Sequence, residues 1–160
     1  MDSRLIKIFF SCSVALFISL VCFNNIIDYT SQFQFVSMVA KMEDTFSMMK
    51  TWRSINSEFA HNVLYILIVA WELLIAVLIL FGSFRMINKL KATMPEFKKA
   101  KKYTSLGLSL GVLFWFTVFI AIGGEWFLMW QSKTWNAQYT AFFLTCCFLL
   151  FLIHHNQEEI

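Results

Sequence analysis

Long apolar runs separated by short charged clusters set the pattern of this chain. A hydrocarbon core about 30 Å thick takes about 20 mostly apolar helical residues to cross. Four stretches meet that length: 5–23, 63–84, 103–122 and 137–153. The fourth is near the short limit, and Gln138 and His154 bound it with polar groups suited to the two interfaces. The pattern predicts an all-α membrane protein, a four-helix transmembrane bundle forming one domain over residues 1–160. Loops 24–62 and 123–136 lie on one side of it and loop 85–102 on the other. Arg4 and Lys7 ahead of an apolar run also describe a secretory signal. No small-x-small cleavage site follows, and bulky Val21 precedes Cys22 where lipid attachment wants a small residue, so the first helix is expected to stay.

Composition agrees with the pattern. Hydrophobic types make up 59% and charged types 14% of the 160 residues, which excludes an ordinary soluble domain. One Pro, five Gly and no Ser/Gly-rich stretch leave no linker between two domains.

Charge gives orientation, because Lys and Arg beside a membrane helix resist translocation. Loop 85–102 carries Arg85, Lys89, Lys91, Lys98, Lys99, Lys101 and Lys102 against Glu96, and Arg4 and Lys7 open the first helix. Both termini, with Gln157, Glu158 and Glu159, are therefore expected in the cytoplasm, and loops 24–62 and 123–136 outside. Thr93-Met94-Pro95-Glu96 reads as a helix start, with Pro in the first turn and a carboxylate at the positive end of the dipole. Lys98, Lys99, Lys101 and Lys102 would then ring the inner end of the third helix. Anionic headgroups attract each such cation by about 1 kcal/mol. A lipid partner is expected from this run and a nucleic acid is not.

The outer segments have patterns of their own. Phe33 to Val39 is apolar with partial alternation, which predicts a short strand or an interfacial segment, and 42–52 predicts a short helix. Gly123 and Gly124 predict a sharp exit from the third helix that aims Glu125 at the outer ends of the bundle. Trp126 and Trp130, four apart, are expected on one face of a short helix, and with Trp135 they predict an aromatic belt at the interface.

Polar residues inside the apolar runs are the candidate chemistry. Glu72 falls near the middle of the second helix, where a charge costs several kcal/mol, so it must be neutral, paired, or part of a ligand or proton site. Its plain role is a hydrogen bond that holds helices in register. His61, Tyr65, Ile68 and Glu72 recur at helical spacing and share a face. Over 11 positions His61 and Glu72 are about 16 Å apart along the axis, too far to hold one metal. Asn24, Asn25 and Asp28 close the first helix at the level of His61, Glu58 and Glu125, where they cap and pin loops or hold a ligand. Gly107 and Gly111 make a small-xxx-small face that seats a neighbouring helix or a partner chain. His154 and His155 diverge by about 100° and are expected at the interface. Cys12, Cys22, Cys146 and Cys147 form no redox pair and are assigned to apolar packing. No catalytic, metal or cofactor motif is present in the sequence.

Five groups of residues carry a resemblance: Asn24-Asn25 with Asp28-Tyr29; Arg53-Ser54-Ile55; Trp71-Glu72; Gly123 to Phe127 with Met129 to Ser132; and Trp135-Asn136. Together they resemble an uncharacterised bacterial family of predicted small integral membrane proteins, over nearly the whole length from Arg4 to the fourth helix. The resemblance implies a bacterial inner-membrane location and four helices, and it brings no activity with it. The first expectation for function is a non-enzymatic accessory protein whose outer loops dock another membrane complex, lipid or a second copy. The alternative is a small transporter or ligand-binding protein using a polar cavity of Glu72, Tyr65, His61, Glu125, Asp28 and Asn25. The charge asymmetry predicts that single cysteines replacing Lys98 or Lys102 in whole cells react only with membrane-permeant maleimides. A cysteine at position 47 reacts with impermeant ones, and the reverse pattern would invert the whole orientation.

Overall fold

A computed structural model describes residues 3–48 and 50–158. Glu159, expected at the inner terminus, lies outside the described residues. The chain forms α1 (Ser3–Ile27), α2 (Tyr29–Ala40), α3 (Lys50–Arg53), α4 (Glu58–Asn88), α5 (Met94–Ala100) and α6 (Lys102–Phe114). A π-helical segment (Trp115–Trp126) continues α6, a 3-10 turn (Met129–Gln131) follows, and α7 (Gln138–Asn156) closes the chain. The helices Ser3–Ile27, Glu58–Asn88, Met94–Trp126 and Gln138–Asn156 are long and apolar enough to cross a membrane. The predicted all-α membrane bundle is the fold observed.

Successive long helices pack antiparallel, and each seam has its own register. Ser11 of α1 meets Met86 of α4, and Asn25 meets Glu72. Across the next seam Gly82 faces Thr104 and Gly107 faces Ile79, while Gly111 and Gly124 of the third span face Phe148 and Gln138 of α7. The Gly107 and Gly111 face is thus used within the chain, once for each neighbouring helix. Ile18, Ile75, Ile79, Leu108, Phe114 and Phe148 form the centre of the buried cluster. Large apolar side chains such as Phe9, Leu16 and Leu150 point away from it at 62%, 62% and 66% exposure, as lipid-facing residues must.

Three local expectations are corrected. Residues 33–39 are helical, inside α2, and not a strand. Their alternation of aromatics concealed a second pattern, the buried Ser37 and Ala40 one turn apart. Of the short helix expected over 42–52, only α3 is present, preceded by turns. Met42, at φ 55°, ends α2 in a left-handed cap in which the Glu43 N–H bonds the Met38 carbonyl at 3.1 Å. The third span leaves through Leu128, at φ 54°, and not through a glycine turn. Gly123 and Gly124 stay within the π-helical segment, where the absent side chain lets Gln138 approach.

At the lysine-rich end, Thr93 starts α5 as expected: its N–H and hydroxyl donate to the Glu96 carboxylate at 3.1 and 2.9 Å. Arg4 donates to the carbonyls of Leu90 and Ala92 at 2.8 and 2.7 Å, fastening the hairpin between α4 and α5 to α1. Lys98, Lys99 and Lys102 are exposed, but Lys101 is buried. It shares the helical stripe of Phe97, Ala100 and Thr104 and donates to the Gln157 carbonyl at 3.3 Å. His155 is likewise buried, at the same lysine-rich end, with its ring nitrogen 3.4 Å from the Lys101 carbonyl. Cys22 is buried, whereas Cys147 is on the exposed face of α7.

The close seams yield a stability prediction. A methyl added at Gly82 falls 2.4 Å from the Thr104 backbone nitrogen, which cannot move aside as a side chain can. Gly82→Ala is expected to destabilise the fold by about 1–3 kcal/mol. Gly123→Ala, whose nearest new neighbour is at 3.3 Å, is expected to change little. Thermal unfolding of both variants in one detergent checks the contrast.

Candidate functional site

Glu72 is half-way along α4 yet touches a residue near the end of α1. Its position in depth follows the register of the seam: Ser11 matches Met86 near the lysine-rich end, so Asn25 and Glu72 match near the opposite end, below α2 and α3. The carboxyl is therefore level with the end of α1, while across the next seam the contacts of Gly82 with Thr104 and of Trp71 with Phe114 put it level with the middle of the third span. It is 1% exposed. Asn25 Nδ2 donates to Glu72 Oε2 at 2.6 Å. Tyr65, two turns away on the same face of α4, donates its hydroxyl to the Asn25 main-chain carbonyl. One α1 residue thus satisfies two polar groups of α4, through its side chain and its backbone.

Beside this trio lies a cavity of about 200 Å³. Asn25, Gln32, Tyr65 and Glu72 give it a polar side, and Phe35, Ile68, Trp115 and Phe119 supply most of the rest. A smaller apolar chamber of about 70 Å³, reaching Leu64, Ile122 and Met129, shares Phe35, Val36, Ile68 and Phe119 with it. Trp115 is buried, and its indole N–H has no hydrogen-bond partner. Buried polar groups are normally paired, so an orphaned donor on a cavity wall needs an explanation. The π-helical segment starts at Trp115 and widens the turn that carries Trp115 and Phe119, whose ring centroids are 4.8 Å apart. Such segments are rare and recur at functional sites.

Of the six residues expected to form the polar cavity, the structure brings Asn25, Tyr65 and Glu72 together. His61 is buried on the same face but is engaged with the chain: its Nε2 is 2.8 Å from the Ile55 carbonyl, pinning the segment ahead of α4. Asp28 caps α2, accepting from the Ser31 N–H at 3.4 Å. Glu125 is exposed and away from the cavity lining. Trp115, Gln32 and Phe119 were missed. Trp115 and Phe119 lie in a span that looked uniformly apolar, and Gln32 lies in a segment whose helical path was not recognised.

The cap is tied down from several sides. Arg53 stacks between Trp52 and Trp126, its guanidinium 4.9 and 5.1 Å from their ring centroids. Ser132 donates to the Asp44 carboxylate at 2.8 Å, and Tyr29 donates to Asn62 at 2.7 Å. Trp126 and Trp130 do not share a helix face, because the left-handed Leu128 intervenes. Trp126 packs edge-on to Trp52, Trp130 to Phe46 and Trp135 to Phe35.

The architecture is that of an integral membrane protein with four candidate spans and a helical cap over one end of the bundle. Comparison with curated proteins and with solved structures gives no match. Residues 3–158 match the family described as predicted small integral membrane protein (DUF2165), and the chain belongs to that family. Among the described residues, no three His, Cys, Asp or Glu side chains gather in a metal-binding group.

The Asn25–Glu72 bond predicts a specific coupling. Interhelical hydrogen bonds in membranes contribute about 1–2 kcal/mol at most. Asn25→Ala is expected to lose about that amount. The same change in a Glu72→Ala background is expected to lose less than half as much, and denaturant unfolding of the double-mutant cycle measures the difference.

Proposed function

We propose that this is a non-enzymatic protein of the bacterial inner membrane that binds a small ligand in the cavity around Glu72. Its termini and the lysine-rich segment face the cytoplasm, and the α2–α3 cap faces outside. The reading is carried by one observation: a 1% exposed carboxyl borders a cavity of about 200 Å³. A carboxyl that served only to join two helices needs its partner and close packing, whereas this one has Asn25 and open space beside it. The Trp115 ring on the same wall supports a ligand that carries a ring or other apolar group. Lys98, Lys99 and Lys102, exposed on α5 and α6, suit anionic headgroups at the inner face, and Trp126, Trp130 and Trp135 suit the outer interface.

A second reading, an accessory subunit that docks another membrane complex, a second copy or lipid through the cap, rests on its surface. Phe46, Met48, Trp52 and Phe59 are 77%, 85%, 61% and 79% exposed. The cap's polar groups are meanwhile used to hold it onto its own bundle, which leaves apolar contact as the means of docking.

Mass spectrometry of the intact protein extracted in native lipid separates the two. The ligand reading expects a small molecule retained one-to-one by the wild type and lost from Glu72→Gln. A stoichiometric companion protein, with no small molecule on either form, would instead establish the docking role.

A further inference from the structure

The chemistry of the cavity wall restricts what it can hold. Phe35, Tyr65, Trp115 and Phe119 present aromatic rings to it, and Glu72 is the one acidic side chain among its described lining residues. No basic side chain is among its described lining residues. An anion would meet a carboxyl and the negative faces of the rings. A dehydrated Ca2+ or Mg2+ needs six or more oxygen ligands, more than the lining amides and carboxyl supply. A carboxylate set among aromatic faces is complementary to a weakly hydrated organic cation, which gains from both the charge and the ring quadrupoles. Resting on the reading of this cavity as a ligand site, we propose that its ligand is a hydrophobic organic ammonium whose charged nitrogen sits by Glu72 and whose apolar substituents lie against Trp115 and Phe119. The neighbouring apolar chamber behind Phe35, Val36, Ile68 and Phe119 gives a longer substituent somewhere to extend when those side chains turn.

The test uses the full chain purified in detergent and two probes of one shape, benzyltrimethylammonium and its uncharged carbon analogue neopentylbenzene. Binding is followed by calorimetry and by tryptophan fluorescence. The wild type is expected to bind the ammonium at least tenfold more tightly than the hydrocarbon. Glu72→Gln is expected to abolish that preference and leave the hydrocarbon affinity within about twofold, since burial of apolar surface is unchanged. Trp115→Phe keeps a ring with a weaker face and is expected to lower ammonium affinity about threefold, so it decides the question if Glu72→Gln does not fold. Equal affinity for the two probes, or full ammonium affinity in a folded Glu72→Gln protein, overturns the cation assignment and leaves a neutral-ligand site standing. If neither probe binds the wild type and no molecule is retained from native lipid, the ligand-site reading itself fails.

Discussion

Hydrocarbon is as apolar as the side chains that face it, so the spans of this protein gain nothing by hiding leucines from their surroundings. Cohesion has to come from close backbone approach and from polar groups that lipid cannot satisfy. Both devices are placed along the seams. Gly82, Gly107 and Gly111 bring α4, α6 and α7 into contact at positions where any side chain would collide. Asn25, Tyr65 and Glu72 join α1 to α4 with hydrogen bonds. The rest of the fold hangs on these few contacts, while Phe9, Leu16 and Leu150 face outward.

The cap makes sense as the counterpart of that arrangement. A cavity beside the end of α1 would open to the surroundings of the bundle unless something covered it. α2 and α3 supply that cover: Gln32 and Phe35 of α2 form part of the cavity wall. The His61–Ile55, Arg53–Trp126 and Asp44–Ser132 contacts hold the remainder against the tops of α4 and the third span. The widened π-helical turn supplies another wall, so the space beside Glu72 is bounded by α1, α2, α4 and the π-helical segment, with Ala137 at its edge.

Much of this was legible in the residues. Apolar length gave the four spans, Thr93 to Glu96 gave the start of the third, and the Gly107–Gly111 spacing gave its contact face. The burial of Lys101 was also legible, in its three- and four-residue spacing from Phe97 and Thr104, but counting lysines as a cluster hid it. What could not be read was register. Helical spacing puts Tyr65 and Glu72 on one face, but nothing within α4 says which turn of α1 lies opposite, and that alone makes Asn25 the partner. The π-helical segment has no sequence signal of its own, since Trp115 to Ile122 would serve equally as α-helix, and so the part Trp115 plays was invisible. Glu125 failed as a site residue because its direction depended on a glycine turn that the chain does not make.

The order in which the chain is made gives one of the end contacts a further meaning. Lys7, 2% exposed near the start of α1, donates to the Gln157 carbonyl, as Lys101 also does. Ribosomes deliver the amino end first. α1 and α4 both precede that carbonyl in the chain. The ammonium of Lys7 gains this acceptor only when α7 is packed in place, so the first turns of α1 depend on a residue far along the chain. The contact is a latch between the first turns of α1 and the residue that follows α7.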